Sequence, residues 1–219
     1  MLFRSYEINK ILKEKNILVK WTILGKGPET NAVVKQWQGE RNVDFYCPSS
    51  QKEVMEIISN NDILVFPTKF EGFPVAVLES MSLGCVPIAT DLLGGTQEVV
   101  KDGLTGYRCK MDDHIAFASK IEKLFFDRKL MQTMKVECIK MVSEQFNVLN
   151  QAKLYQDYFK EVALEDSVPR HHLINEKIGS RLDQKYLPNR GGLDLTGRQL
   201  PVIVRVPCAE GYRCLTTNR

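Results

Sequence analysis

The chain has 219 residues, of which 43% are hydrophobic and 26% are charged. These proportions are ordinary for a globular protein and exclude disorder of the whole chain. The formal net charge of +3 is too small to indicate a nucleic-acid-binding protein, and we expect no nucleic-acid partner. No apolar run approaches the roughly 18 residues that a membrane span needs, and the N-terminus does not resemble a signal peptide. We therefore expect a cytoplasmic protein.

Short apolar runs alternate with helical patterns over residues 1–163. The apolar runs predict strands at residues 17–24, 43–46, 62–67, 86–90 and 106–109. The helical patterns predict helices at residues 28–38, 51–60, 75–83, 95–101, 113–126, 128–143 and 148–162. Strands that are separated by helices of this length form right-handed crossovers and a parallel sheet. The sequence thus predicts an α/β fold, a Rossmann-like parallel sheet flanked by helices.

The composition changes after about residue 164. Prolines and glycines interrupt residues 164–219, and the helical periodicity is lost. Residues 202–206 are apolar enough for a strand, but no neighbouring segment completes a sheet with them. We therefore predict a poorly ordered or unassigned tail over residues 164–219.

The cysteines and histidines do not form a pattern that predicts a metal site. Five residues separate Cys208 from Cys214, which exceeds the spacing of zinc motifs, and the chain has three histidines. Cys47, Cys85 and Cys109 lie in or beside apolar runs, which favours buried thiols. We expect no bound metal.

Three loops at the carboxyl ends of the predicted strands are the candidates for a ligand site, since ligands of parallel sheets bind there. They are residues 25–27, 68–74 and 91–95. The middle loop leads from an apolar strand through Gly72 and Pro74 into a helix. Backbone amides at a helix start suit a phosphate, Gly72 allows close approach, and Pro74 is preorganised to begin the helix.

Two carboxylates flank this turn, Glu71 in the loop and Glu79 in the following helix. Carboxylates accept paired hydrogen bonds from vicinal hydroxyls, such as those of a ribose or a hexose. Two glutamates at this spacing also occur in helical proteins that bind no ligand, as a turn residue and a solvated helix residue. Their placement after an apolar strand, with Gly72 in the turn, favours the ligand-binding interpretation.

Five motifs in this order resemble glycosyltransferase family 4, retaining enzymes of the GT-B fold. The segment from Glu71 to Met81 resembles the E-x7-E signature of that family. The other four matching segments are residues 24–28, 84–90, 94–100 and 102–106. The resemblance covers roughly residues 5–160. It implies that the chain is the C-terminal, donor-binding half of an enzyme of carbohydrate biosynthesis.

The resemblance also implies roles for individual residues. Glu71 would contact the donor sugar as the catalytic residue, and Glu79 would bind the ribose hydroxyls of the nucleotide. The donor would be a nucleotide diphosphate sugar, and the family needs no metal or other cofactor. The backbone and turns of nine further residues would form the donor site: Gly25, Gly27, Gly72, Phe73, Pro74, Val75, Gly94, Gly95 and Thr96.

The family's C-terminal domain opens with a strand whose arginine and lysine clamp the diphosphate, and no matching segment is found here. We therefore expect a truncated enzyme whose first strand and N-terminal acceptor domain are missing. The parent enzyme would transfer a hexose to an acceptor with retention of configuration, and the resemblance is compatible with peripheral membrane contact. The chain alone is expected to be inactive, because proximity and most charge stabilisation are lost.

Two alternatives come from other classes of protein. A non-catalytic module that binds a nucleotide or a sugar would share the same pocket. A dinucleotide-dependent oxidoreductase would need G-x-G-x-x-G after the first strand. Here Thr30 stands in the place of the third glycine and Pro28 follows the second, which disfavours the oxidoreductase.

Overall fold

The computed structural model describes residues 2–164 and 202–206. Its contacts divide the chain into a unit of residues 1–143 with 198–219 and a unit of residues 144–197. The strands are β1 (Lys20–Leu24), β2 (Val43–Tyr46), β3 (Ile63–Phe66), β4 (Val86–Thr90), β5 (Tyr107–Cys109) and β6 (Val202–Arg205). The helices are α1 (Leu2–Glu14), α2 (Thr30–Gln36), α3 (Gln51–Ser59), α4 (Val75–Ser82), α5 (Gly95–Val99), α6 (His114–Phe126), α7 (Arg128–Gln145) and α8 (Val148–Leu164).

The strands form one six-stranded sheet in the order β2-β1-β6-β3-β4-β5. β1 pairs with β2 in parallel, and β3, β4 and β5 pair in parallel with one another. Every residue of β3 and β4 is buried, as expected for strands that are covered on both faces. The predicted Rossmann-like α/β fold and its five strands are thus confirmed.

β6 corrects the prediction that residues 202–206 have no sheet partner. It lies between β1 and β3, antiparallel to both, with Ile203 opposite Thr22 on one side and Leu64 on the other. The sheet has the 3-2-1-4-5-6 order of a doubly wound fold, and β6 takes the place of the first strand. Local sequence could not reveal this pairing, because both partner strands lie far earlier in the chain. Residues 165–201 and 207–219 lie outside the described residues, so a tail there stays a prediction.

A layer of apolar side chains joins α1 to the sheet. Ile8 and Leu12 of α1 are fully buried, and so is Trp21 of β1. Between them, Asn9 accepts a hydrogen bond of 2.8 Å from the indole N–H of Trp21. This buried bond pairs the indole N–H with the side-chain oxygen of Asn9 and helps fix the register of α1 on the sheet.

The helix starts follow local side-chain chemistry. Ser50 caps α3 as predicted, since its side chain accepts a hydrogen bond of 3.2 Å from the backbone N–H of Glu53. α2 begins two residues later than predicted, at Thr30. The hydroxyl of Thr30 bonds to the backbone of Gly27 at 2.8 Å, which holds Pro28 in a turn before the helix.

The second unit contributes α8, an amphipathic helix. Leu154, Tyr155, Tyr158 and Phe159 of this helix are all more than half exposed. Across residues 2–164 and 202–206, no helix combines the length and the apolar character that crossing a membrane requires.

The thiols differ in burial, which partly corrects the prediction. Cys85 and Cys109 are buried as predicted, and so is Cys138, but Cys47 is exposed at the end of β2. Burial raises the pKa of Cys109 and of Cys138 to about 12 and raises the pKa of Cys85 further. These three thiols therefore stay protonated and unreactive in the native state.

We expect thiol titration with an aromatic disulfide at pH 8 to report this difference. In a Cys208→Ser/Cys214→Ser variant, one thiol should react in the native protein, and three more should react only in denaturant. Replacement of Cys47 by serine should abolish the native reaction. Rapid native labelling of more than one thiol in the first variant would contradict the buried positions of the other three.

Candidate functional site

The loops singled out from the sequence lie at one edge of the sheet. β1, β2, β3 and β4 all run in the same direction, so the loops that follow them share the carboxyl edge. The carboxyl ends of β1 and β2 are joined by a hydrogen bond of 2.7 Å from the N–H of Gly25 to the carbonyl of Tyr46. Gly25 has φ +110°, a conformation that favours glycine. Gly27 follows in the turn that Thr30 closes.

The loop after β3 is held by its own hydrogen bonds. The hydroxyl of Thr68 donates to the carbonyl of Phe70 at 2.7 Å, and the N–H of Val75 donates to the carbonyl of Phe73 at 2.9 Å. Pro74 is buried and stands at the N-cap of α4, without a side-chain capping bond. The positive end of the α4 dipole therefore has no acidic cap of its own.

Glu71 lies in this loop, partly buried. Burial raises the pKa of its carboxyl above the ordinary value of 4.5, and a hydrogen bond from the backbone N–H of Gly72 acts in the opposite direction. A raised pKa means that the folded protein holds the neutral form more readily than an exposed glutamate does. The direction of the shift follows from the partial burial of the carboxyl group.

Glu79 lies in the middle of α4 and has a partner that the sequence did not indicate. The side-chain amide of Gln51, the first residue of α3, donates a hydrogen bond of 2.8 Å to the Oε1 atom of Glu79. The bond fixes the orientation of the carboxylate and leaves its second oxygen to accept from a ligand. The cap at Ser50 was the available signal, because it places Gln51 at a helix start on the carboxyl edge.

The glycine turn after β4 is pressed against the Glu71 loop. A methyl group built on Gly95 would lie 2.6 Å from the carbonyl oxygen of Gly72 and 2.9 Å from the Cα atom of Phe73. Gly94 has φ +96°, which only glycine adopts readily. The two loops therefore meet closely, with Gly95 against residues 72–74.

Thr96 carries an unpaired polar group beside this contact. It is 1% exposed, and within the described part of the chain its hydroxyl has no hydrogen-bond partner. Buried hydroxyls are normally paired, and the hydroxyl of Thr96 is one of several buried polar atoms without a partner among the described residues.

Three charged groups support the loop that follows β3. Arg4 donates to Asp112 at 2.7 Å and to the carbonyl of Pro67 at 2.9 Å, and Lys69 pairs with Asp112 at 3.0 Å. Lys69 and Arg4 lower the pKa of Asp112. Lys69 is therefore engaged in an ion pair, and the sequence missed Arg4 and Asp112 because they are far apart in the chain.

The contact between the two loops should be sensitive to one methyl group. We expect Gly95→Ala to lower the free energy of unfolding by about 1–3 kcal/mol, since the added carbon would meet backbone atoms that cannot rotate away. Gly27→Ala is the matched control, because no atom lies within 4 Å of the methyl group built there. Denaturant unfolding of both variants measures the difference, and equal stability would contradict the loop contact.

Solved structures that share this architecture include two in complex with UDP. One is a mutant of TarM from S. aureus in complex with fondaparinux, alpha-GlcNAc-glycerol and UDP. It superposes with a TM-score of 0.66 at 19% sequence identity, and the match covers 73% of this chain and 32% of the TarM chain. HepE from Anabaena in complex with UDP gives 0.57 at 18% identity, covering 64% of this chain and 40% of its own. The fold is that of the GT-B glycosyltransferases.

The chain belongs to the family glycosyl transferases group 1, whose model matches residues 2–141. It is 29% identical over 150 residues to N-acetyl-alpha-D-glucosaminyl L-malate synthase of Bacillus anthracis, a match that covers 67% of this chain. The chain spans 39% of the length of that relative.

Proposed function

We propose that the carboxyl edge binds a nucleotide diphosphate sugar and that the chain is the donor-binding half of a hexosyltransferase. The observation that carries the proposal is the contact of the Glu71 loop with the glycine turn at Gly95, with Glu79 oriented by Gln51 on the same edge. The site thus offers carboxylates for hydroxyl groups and backbone amides for phosphates within one surface.

The nucleotide would lie with its ribose at Glu79. One carboxylate oxygen already accepts from Gln51, and the other would accept from a ribose hydroxyl. The diphosphate would lie against the start of α4 and the Gly94–Thr96 turn, where the uncapped helix dipole favours negative charge. The bound UDP of the two solved structures supports a nucleotide ligand.

No metal is needed in this proposal. The helix start and the backbone amides of two loops would offset the diphosphate charge directly. Within the described residues, no three histidine, cysteine, aspartate or glutamate side chains cluster as metal ligands. Donor binding in the presence of a chelator is the corresponding expectation.

The donor sugar would lie at Glu71. We propose the retaining chemistry of glycosyltransferase family 4 for the whole enzyme, with transfer of a hexose to an acceptor that a second, N-terminal domain binds. The donor site alone cannot bring two substrates together, so we expect the isolated chain to bind the donor without transferring it at a useful rate. Robust turnover by the purified chain would contradict this division of labour.

The carboxyl of Glu71 should make folding stability depend on pH. Its folded-state pKa is raised, so the folded state retains a proton that the unfolded chain releases, and this residue weakens stability as pH rises above its ordinary value of 4.5. We expect Glu71→Gln to melt at a higher temperature than the wild type at pH 7 and at the same temperature at pH 4. Glu56→Gln, at an exposed position of α3, is the matched control. A Glu71→Gln variant that is less stable than the wild type at pH 7 would contradict the raised pKa.

A thermal-shift screen tests the binding proposal. The purified chain is melted with UDP, GDP, ADP and their sugar conjugates, each with EDTA. A ligand that binds the native state at 100 times its Kd stabilises the fold by about 2.7 kcal/mol, which is several degrees for a domain of this size. One nucleotide should raise the melting temperature and thereby identify the base. Identical melting curves at millimolar concentrations of all three would reject the donor site.

A further inference from the structure

A second concave surface lies at the opposite edge of the sheet, about 15 Å away along strands of four or five residues. The cavity has a volume of about 990 Å³ and opens to solvent. Its walls come from the amino ends of β1, β2 and β3, the end of β6 and one face of α7. We call it the basal groove, and the proposed donor site does not use any of its residues.

The described lining of the basal groove is strongly cationic. The lining contains five cationic side chains and one carboxylate. The six residues are Lys20, Arg41, Arg128, Lys135, Arg205 and Asp62. The formal charge of the entire chain is only +3, so positive charge is concentrated at this edge.

Both carboxylate oxygens of Asp62 already accept hydrogen bonds within the protein. One of its oxygens accepts from Lys135 at 2.5 Å, and the other accepts from the backbone N–H of Val206 at 2.9 Å. Lys20 pairs with Asp44, outside the lining, at 2.7 Å. The local acidic groups therefore balance the two lysines and hold the end of β6.

The positive charges of the three arginines are not balanced in this way. In residues 2–164 and 202–206, neither Arg41 nor Arg128 nor Arg205 forms an ion pair with a carboxylate. Arg205 also stands directly opposite Lys20 across the β1–β6 ladder. Like charges at opposed positions of a ladder destabilise a sheet, so folding alone gives no reason for this arrangement.

We propose that the basal groove binds an anion that carries several closely spaced phosphates. Guanidinium groups bind phosphate oxygens in a bidentate manner, and three of them converging on one cavity suit a ligand with more than one phosphate. A cavity of this volume accommodates a small polyphosphate. The ligand would be either a soluble polyphosphate or the phosphate headgroups of a lipid surface.

The test is calorimetric titration of the wild-type chain with sodium tripolyphosphate at low ionic strength. Arg41→Gln/Arg128→Gln should weaken binding by about 100-fold, about tenfold for each charge-assisted contact. Lys129→Gln/Lys140→Gln removes the same charge from exposed positions of α7 outside the groove and should leave affinity nearly unchanged. Tripolyphosphate bound at the donor site instead would be insensitive to both arginine substitutions, which separates this groove from the donor site.

The single variants Arg41→Gln and Arg205→Gln, both at exposed positions, keep the test decisive if the double variant does not fold. A second arm uses vesicles of phosphatidylglycerol in place of tripolyphosphate, with the same variants. Binding to either probe that depends on the groove arginines supports the proposal and identifies the source of the phosphates. Absence of binding to both probes would overturn it, and so would an equal loss in the Lys129→Gln/Lys140→Gln control.

Discussion

We expect Ile203→Asp to abolish cooperative folding of the first unit. Ile203 is fully buried at the centre of β6, between Thr22 of β1 and Leu64 of β3. A carboxylate at this position would be buried without a partner, in the middle of the sheet that organises the domain. The cost of about 4–5 kcal/mol or more is comparable with the whole stability of a typical domain.

Circular dichroism during thermal unfolding measures this effect. Arg205→Gln is the matched control in the same strand, because Arg205 is exposed and its replacement should leave the transition intact. If Ile203→Asp melted within a few degrees of the wild type, β6 would not be a strand of the sheet. Loss of the cooperative transition in Ile203→Asp would therefore support the pairing of β6 with β1 and β3. The sequence alone predicted an unassigned tail in place of this pairing.

The second large effect is expected at Glu79. We expect Glu79→Ala to weaken binding of the nucleoside diphosphate by about 100-fold, since hydrogen bonds to a charged group contribute about 1.5–3 kcal/mol. Gln51→Ala should weaken binding by about tenfold or less, because Gln51 orients the carboxylate without contacting the ligand in this proposal.

Calorimetric titration with the nucleotide found in the thermal-shift screen gives these ratios. Glu56→Ala changes an exposed glutamate on the neighbouring helix and should retain wild-type affinity. Wild-type affinity in Glu79→Ala would contradict the proposal that this residue binds the ribose. Equal losses in Gln51→Ala and Glu79→Ala would instead indicate that Gln51 contacts the nucleotide directly.

Much of the fold followed from local patterns. The strand at residues 86–90 has the predicted bounds, and the cap at Ser50 starts α3 where predicted, because these features depend on neighbouring residues. The start of α2 was two residues too early because the Thr30 hydroxyl closes the turn at Gly27. The pairing of β6 depends on strands more than a hundred residues earlier, which no local pattern encodes.

The position of the candidate site was predictable to the extent that topology determines it. Parallel strands bring the loops at residues 25–27, 68–74 and 91–95 to one edge, and the sequence identified all three. The side-chain partners were not predictable in the same way. Gln51 reaches Glu79 across two helices, and Arg4 reaches Asp112 across 108 positions of the chain. Such pairs arise from packing, and a single sequence carries no record of them.

Chemical-shift mapping of the ¹⁵N-labelled chain, titrated with UDP, GDP or ADP, tests the donor site most directly. We predict that one nucleotide shifts the amide signals of Gln51, Gly72 and Gly95, with little change at Arg41 and Arg128 on the opposite edge. Shifts confined to Arg41 and Arg128 would show that phosphates bind the basal groove alone. That result, or unchanged spectra with all three nucleotides at millimolar concentration, would contradict the assignment of the carboxyl edge as a nucleotide-sugar site.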